Sequence, residues 1–155
     1  MAYEFYVSAT ANKQGKLKGE STRPRQEDKL TGLAFHYSVG SPRDAATGMA
    51  SGRRTHQPVS FVKQWGASSP QFFQALTTNE SFKSVLFEFI GTNEAGEEHV
   101  FHTIKLLNAL VTEIEQYIDP GDAGPLEKIS FTFQEIQLEN IDGRTMATDE
   151  LRGPK

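Results

Sequence analysis

The chain has 155 residues, no cysteine and a net charge of -4 at pH 7. This length suits one domain with its own core, and we predict a single domain over 1–155. The acidic balance argues against a nucleic-acid binder, and the missing cysteines exclude disulfides, thiol nucleophiles and cysteine-ligated zinc.

The N-terminus, MAYEFYVSATANKQGK, lacks the basic lead and apolar run of a secretory signal. No stretch of the sequence approaches about 18 continuous apolar residues, so we expect no membrane insertion. We therefore expect a protein that is made in the cytoplasm. Any export would use a route that needs no cleaved signal peptide.

Alternating apolar residues predict strands over 3–10, 30–39 and 59–65. In the second of these, the same face carries Leu33, Phe35, Tyr37 and Val39. Residues 40–58 show the period of neither helix nor strand. An ordered loop of this length is usually functional.

One short helix follows the third predicted strand. The triplet SSP at 68–70 predicts its start, with a serine N-cap and Pro70 at the first helical position. An apolar stripe then predicts a helix that ends near Asn79. The stripe consists of Phe72, Phe73, Ala75 and Leu76.

The second half of the chain is rich in β-forming residues. Residues 83–91 predict a strand that is apolar on both faces, and TNEAGEE predicts a hairpin turn with positive φ at Gly96. Residues 100–118 would suit a helix or a strand, but the adjoining hairpin favours one long strand or two joined by a bend. The segment IDPGDAGP at 118–125 predicts a turn.

The final strand pattern, LEKISFTFQEIQLENI, changes parity along its length. Its apolar residues are Ile129, Phe131, Phe133, Ile136 and Leu138. A bulge near 134–135 would turn both sets inward. The tail over 144–155 is polar, and we expect it to be extended. About seven or eight strands and one helix predict an all-β fold, a small barrel or sandwich.

Catalytic motifs are missing from the sequence. There is no G-x-S-x-G elbow and no glycine loop for phosphates. His99 and His102 could hold a divalent metal, but residues three apart in a strand point to opposite faces. We interpret them as solvated or hairpin histidines and expect no cofactor, no metal and no enzymatic activity.

The stretch SGRRTHQP at 51–58 could grip a phosphate, a carboxylate or a nucleic-acid backbone, or hold a neighbouring subunit. Nucleic-acid contact would want more basic neighbours and interleaved aromatic residues. The planar fork of arginine suits a carboxylate on a protein partner. We therefore favour Arg53, Arg54 and His56 as assembly contacts, and we interpret Trp65 as a core or interface anchor.

Five segments follow one another in a specific order: GKLKGES, SGRRTHQPVSFVKQ, SSPQFFQAL, TIKLLNALVTEIEQ and PLEKISFTFQEI, the last followed by DG at 142–143. In this order they resemble the haemolysin-coregulated protein (Hcp) family, the tube subunits of bacterial type VI secretion systems. The resemblance runs from residue 15 to about 150. The chain departs from many members in reading QWGASSP, without an aspartate just before SSP.

The resemblance implies a phage tail-tube-like β-barrel with a short helix that assembles into a hexameric ring. Rings of this family stack into a tube that a contractile sheath drives into a target cell. A spike protein sits at the tip, small effectors travel in the lumen, and secretion needs no signal peptide. On this match the loop over 40–58 reaches a neighbouring subunit or the next ring, through Arg53, Arg54 and His56.

Two other hypotheses stay open at this point. A free-standing β-barrel adaptor or chaperone for a secreted effector would use the same barrel without forming a ring. A small metal-dependent hydrolase would use His99 and His102.

Overall fold

The computed structural model describes residues 4–21, 27–121 and 124–151. This part of the chain forms twelve strand segments and one helix. They are β1 (Glu4–Ala11), β2 (Gly15–Lys16), β3 (Leu30–Gly32), β4 (Ala34–His36), β5 (Val39–Gly40), β6 (Thr55–His56), β7 (Val59–Gln64), α1 (Ser68–Thr77), β8 (Phe82–Thr92), β9 (Glu98–Ile118), β10 (Pro125–Thr132), β11 (Glu135–Asn140) and β12 (Thr145–Glu150). The all-β prediction with one short helix is confirmed. Seven or eight strands was too low a number, because several segments have only two or three residues. In the described ranges, no helix has the length and apolar character needed to cross a membrane.

The strands close into a small barrel. Antiparallel pairing joins β1 to β8, β8 to β9, β9 to β10 and β10 to β7. Residues 30–36 complete the circuit, because β3 pairs with β1 and β4 pairs with β7.

The prediction of a single strand over 30–39 was wrong. The segment breaks at Leu33, so that β3 pairs with β1 and β4 pairs with β7. The backbone N–H of Leu33 donates to the carbonyl of Val62 at 2.8 Å. The side chains of Leu33 and Val39 are exposed, whereas Phe35 and Tyr37 pack against the core.

Phenylalanine rings fill the barrel. The rings that are fully buried are Phe61, Phe72, Phe82, Phe87 and Phe131. Phe61 stacks on Phe131 with ring centroids 6.1 Å apart, and Phe82 meets Phe131 edge to face at 5.8 Å. These offset and edge-on geometries suit the quadrupoles of the rings. The helix contributes Phe72 to this core, but Phe73 is 61% exposed, so its predicted place in the apolar stripe was wrong.

Strand β9 is one continuous element of 21 residues, which settles the predicted choice between helix and strand. It bends at Asn108, whose φ of 51° lies in the left-handed region that asparagine tolerates. Up to Ala109, β9 pairs with β8 and β11, and from Leu110 onward it pairs with β10.

The predicted parity change near 134–135 occurs, but as a break between β10 and β11, not as a bulge. The backbone N–H of Gln134 donates to the carbonyl of Leu107 at 3.1 Å. The side-chain amide of Asn108 also donates to Oε1 of Gln134 at 3.3 Å. The break therefore sits beside the bend of β9, and residues on both sides of it stay buried. These are Ile129, Phe131, Phe133 and Ile136.

Three hairpins make up the second half, namely β8–β9, β9–β10 and β11–β12. The turn between β8 and β9 forms as predicted, with φ of 81° at Gly96. The predicted turn at 118–125 includes residues 122–123, which lie outside the described residues. The tail after Gly143 is extended as expected, but as strand β12, which pairs with β11 from Thr145 to Glu150. Residues 152–155 of that tail lie outside the described residues.

The start of the helix differs from the prediction. Its N-cap is Ala67, with no side-chain hydrogen bond, and Pro70 is the third helical residue. Ser69 instead donates its hydroxyl to Oε2 of Glu127 at 2.6 Å and accepts from the N–H of Gly66 at 3.0 Å. The serine therefore ties the helix to strand β10.

That contact belongs to a buried ion pair. Nζ of Lys63 lies 2.6 Å from Oε2 of Glu127, and the two side chains are 1% and 0% exposed. Gln116 donates to the other carboxylate oxygen of Glu127 at 3.0 Å, and Lys63 also donates to the carbonyl of Gln64 at 2.9 Å. Loss of one partner would leave an uncompensated buried charge.

The phenylalanine core yields a matched pair of tests. Phe131→Ala removes a fully buried ring and should lower the free energy of unfolding by about 3–5 kcal/mol, from lost burial and the remaining cavity. Phe73→Ala makes the same change at an exposed helix position and should shift it by no more than about 0.5 kcal/mol. Urea denaturation followed by circular dichroism measures both. Equal effects of the two substitutions would contradict the assigned core.

Candidate assembly site

Residues 40–58, called the arm below, form an ordered hairpin on the surface of the barrel. At its base β5 pairs with β6, with Val39 opposite His56 and Gly40 opposite Thr55. Nearer the tip, Arg43 forms an isolated β-bridge with Ala50. Almost all of its side chains are exposed, so this arm is available to other molecules.

Local hydrogen bonds hold the tip of the arm. Oδ1 of Asp44 accepts from the backbone N–H of Ala46 at 2.7 Å and of Thr47 at 3.2 Å. The N–H of Asp44 donates to the carbonyl of Met49 at 2.7 Å, and Gly48 takes a φ of 73°. Asparagine and aspartate often close turns in this way. The turn presents Met49, which is 68% exposed.

The base of the arm is attached to the C-terminal strand through Asp149. Arg54 forms a two-pronged ion pair with this carboxylate, Nε to Oδ2 at 2.5 Å and Nη2 to Oδ1 at 2.7 Å. The same Nη2 donates to the carbonyl of Glu150 at 2.8 Å. Planar guanidinium–carboxylate pairs of this kind are strong and directional.

His56 makes the second attachment to Asp149. Its Nε2 lies 2.7 Å from Oδ2 of Asp149, and its Nδ1 lies 2.7 Å from the hydroxyl of Tyr37. The neutral tautomer with the proton on Nε2 satisfies both contacts, donating to the carboxylate and accepting from the tyrosine. The imidazole is 6% exposed and packs edge-on to Phe133 at 5.3 Å. We call Tyr37, Arg54, His56 and Asp149 the latch.

The ion pair and hydrogen bonds of the latch stabilise the ionised form of Asp149 and the charged form of Arg54. The hydrogen bond from Arg54 lowers the pKa of Asp149, burial opposes it, and the hydrogen bond from His56 lowers it further. The same contact raises the pKa of Arg54. Burial, followed by the negative charge of Asp149, raises the pKa of Tyr37. Asp149 is therefore ionised at neutral pH, and Tyr37 keeps its proton.

The predicted site residues fall into two places. Arg54 and His56 come together in the latch, and Arg53 beside them is exposed, with no ion pair in the described part of the chain. Trp65 lies beyond the far end of β7, about 20 Å from the arm by the rise of six strand residues. Its indole N–H donates to the carbonyl of Leu126 at 2.7 Å, and its ring is partly exposed.

Sequence patterns gave no sign of Asp149. It lies 95 positions after Arg54, in a tail read only as polar. We expected the carboxylate that binds the arginines to lie on a partner protein, but the carboxylate of Asp149 in the same chain binds Arg54. A contact of Arg53, Arg54, His56 or Trp65 with a second subunit stays a prediction.

His99 and His102 point to the same face, so the predicted opposition of their side chains was wrong. The pairing of β8 with β9 contains a bulge, which places His99 opposite Gly91 and His102 opposite Phe89. Since Gly91 and Phe89 are two apart on one strand, their partners share a face.

The two histidines nevertheless have separate partners. Nε2 of His99 lies 2.7 Å from Oδ1 of Asp142, and the side-chain amide of Asn140 donates to Nδ1 of His102 at 3.4 Å. Among the described residues, no three histidine, aspartate or glutamate side chains come together in a way that could hold a metal ion.

Comparison with known proteins places this barrel in a family. Residues 9–139 match the family described as type VI secretion system effector, Hcp. The chain belongs to the Hcp family. It is 30% identical to the major exported protein of Pseudomonas aeruginosa over 169 aligned positions, which cover 99% of this chain and 98% of that protein.

Solved Hcp structures share the whole fold. One Hcp protein superposes with a TM-score of 0.90 at 27% identity, covering 96% of this chain and 99% of its own. The secreted protein Hcp3 of Pseudomonas aeruginosa gives 0.83 at 25% identity, covering 98% and 100%. The predicted family and fold class are confirmed. The chain is a tube- and effector-associated Hcp protein of type VI secretion, from a family of ring-forming exported proteins, and the adaptor alternative is not favoured.

The latch can be tested with Asp149→Asn. This change removes the charge that binds Arg54 and His56, so backbone amides of residues 39–56 should exchange hydrogen about tenfold faster. Hydrogen–deuterium exchange with mass spectrometry measures this, with both proteins in the same assembly state. Asp142→Asn, which removes the other aspartate–histidine contact, serves as the control and should leave the arm unchanged.

The wild type should show the same loss on acidification. Because the folded state lowers the pKa of Asp149, the latch stabilises fully above the ordinary aspartate range. This contribution disappears as the pH falls through the lowered value. Unchanged arm exchange in Asp149→Asn, after correction for intrinsic rates, would show that the latch does not hold the arm.

Proposed function

We propose that this chain is the subunit of the inner tube of a type VI secretion system, assembling into hexameric rings that stack. The observation that carries the proposal is the match to Hcp proteins over almost the full length of both chains. The ordered, exposed arm supports it, because a preorganised element costs less entropy when it meets a partner.

Within such a ring, the arm residues divide into two roles. Arg54 and His56 fix the direction of the arm by binding Asp149. Arg53, exposed and without an ion pair among the described residues, makes the direct contact with a neighbouring copy. Exposed Met49 at the tip adds apolar surface to that contact. Trp65, at the other end of β7, anchors a separate contact.

The wider partners follow from the same family role. We propose a spike protein at the tip of the tube, a contractile sheath around it and small effectors in the lumen. The protein leaves the cytoplasm through this machine without a cleaved signal peptide. It acts as a structural carrier, without enzymatic activity, cofactor or bound nucleic acid.

The mass of the untagged protein in solution tests the ring. Size-exclusion chromatography with light scattering should give a species near six times 17.2 kDa. Arg53→Glu should lower the ring fraction, and higher salt should weaken the wild-type ring, because the contact is charged and exposed. Circular dichroism should show an unchanged fold.

Lys128→Glu is the matched control, since Lys128 is exposed on β10 and lies away from the arm. It should keep the wild-type mass. A wild type that stays monomeric at high concentration would count against the ring itself. Full assembly of Arg53→Glu at every salt concentration would count only against the arm contact.

A further inference from the structure

The strand register lines up one row of side chains across the outer face of the sheet. Residues that pair across neighbouring strands share a face, so each pairing extends the row by one strand. From one margin to the other, the row reads Lys16, Thr10, Ser84, Leu107, Glu135 and Glu150. It spans β2, β1, β8, β9, β11 and β12, about 24 Å at the usual strand spacing.

The two ends of this row carry opposite charge. Lys16 stands at the β2 margin, while Glu135 and Glu150 lie directly opposite each other at the β12 margin. Like charges in directly paired positions are destabilising. Neither glutamate has an ion pair within the described ranges, although Glu135 accepts a hydrogen bond from Gln137 at 2.8 Å.

Other charges do not cancel the negative margin. Glu139 lies on the same outer face of β11, two register positions from Gln137. Lys105 on β9 lies opposite Gln137 on β11. This single cation is therefore at least one strand further from the edge than the carboxylates of Glu135, Glu139 and Glu150. Arg54 reaches this margin, but its charge is paired with Asp149.

The β12 margin is also an open strand edge. In the described structure, β12 pairs with β11 alone. Its sequence TMATDE contains no lysine or proline, the residues that natural edge strands use to block unwanted pairing. Arg54 covers only the carbonyl of Glu150 at the end of the edge. Backbone groups along the rest of β12 are therefore available to another chain.

The positive margin has a free charge as well. Lys16 is exposed and makes no ion pair with any described residue. The nearby carboxylate of Glu80 is buried and already occupied, accepting the backbone N–H groups of Lys13 at 2.6 Å and Gln14 at 2.7 Å. The carboxylate of Glu80 therefore holds the β1–β2 turn, and the ammonium of Lys16 faces solvent.

We propose that the β2 margin of one copy docks against the β11–β12 margin of a second copy, with Lys16 facing Glu150 and Glu135. Two different, complementary surfaces on one chain make a heterologous contact, which is the kind that closes a ring. The inference rests on the proposed ring and names the two edges that meet in it. Its charged side chains, Lys16, Glu135 and Glu150, are different from the arm residues Arg53 and Met49, and Arg54 of the latch touches the same margin only at the carbonyl of Glu150.

Charge reversal and exchange test the contact. Lys16→Glu and Glu150→Lys should each raise the protein concentration at which half the subunits are in rings by about tenfold or more, because each places like charges together. The double variant carrying both changes restores opposite charges and should return to within about threefold of the wild type. Mass photometry and light scattering over a dilution series measure the ring fraction.

Lys128→Glu and Glu94→Lys are the matched controls, since Lys128 is exposed on β10 and Glu94 is exposed in the β8–β9 turn, and neither element belongs to these two margins. Both should assemble like the wild type. Single reversals that match these controls, or a double variant no better than the singles, would overturn the edge contact. A wild type without rings would overturn the proposed function as well.

A salt titration tests the edge contact even where a charge-reversal variant fails to fold. Raising salt from ~0.05 to ~1 M should increase the wild-type half-assembly concentration, because exposed pairs are screened. In a ring-forming Lys16→Ala variant, which removes the charge without adding a repulsive one, this salt dependence should be smaller. Equal salt dependence in the two proteins would overturn the proposal.

Discussion

The bend of β9 at Asn108 is the constraint on which the rest of the barrel depends. This single strand of 21 residues pairs with β8 and β11 before the bend and with β10 after it. The chain that leaves β10 must turn beside this bend in order to pair with the first half of β9. It turns at Gln134, which is hydrogen-bonded to Leu107 and Asn108. Phe131 and Ile136, on the two sides of that turn, can then both enter the core. A continuous β10–β11 strand would have faced one of them outward.

The same turn sets the position of the arm. Because β11 leaves β10 at Gln134, it runs beside the first half of β9, and β12 folds back along it. This brings Asp149 next to the base of the arm, where it binds Arg54 and His56. His56 is also packed against Phe133, directly before the turn. The barrel and the arm are therefore joined through the C-terminal strand, and an exposed hairpin with few core contacts gains a defined direction.

Local patterns in the sequence were enough to predict the fold class, the helix, the β8–β9 turn and the parity change near 134–135. They did not predict features that depend on distant partners. Leu33 has the alternation of a strand residue, but its segment must reach both β1 and β7. The Lys63–Glu127 pair joins positions 64 apart, and Asp149 is 95 residues from Arg54. The serines at the start of the helix have the pattern of N-caps, yet Ser69 binds Glu127 because the buried Lys63–Glu127 pair lies beside it. Local patterns do not predict side-chain partners across the barrel, because those partners depend on how distant strands pair.

On the proposed function, this chain closes into a ring through its own surfaces. Negative-stain or cryogenic electron microscopy of the untagged, purified protein tests it most directly, because class averages report symmetry without a partner being supplied. We expect rings with six-fold symmetry, and short stacks of them at higher concentration. Class averages that show only single barrels, across a wide range of protein concentration, would contradict ring closure.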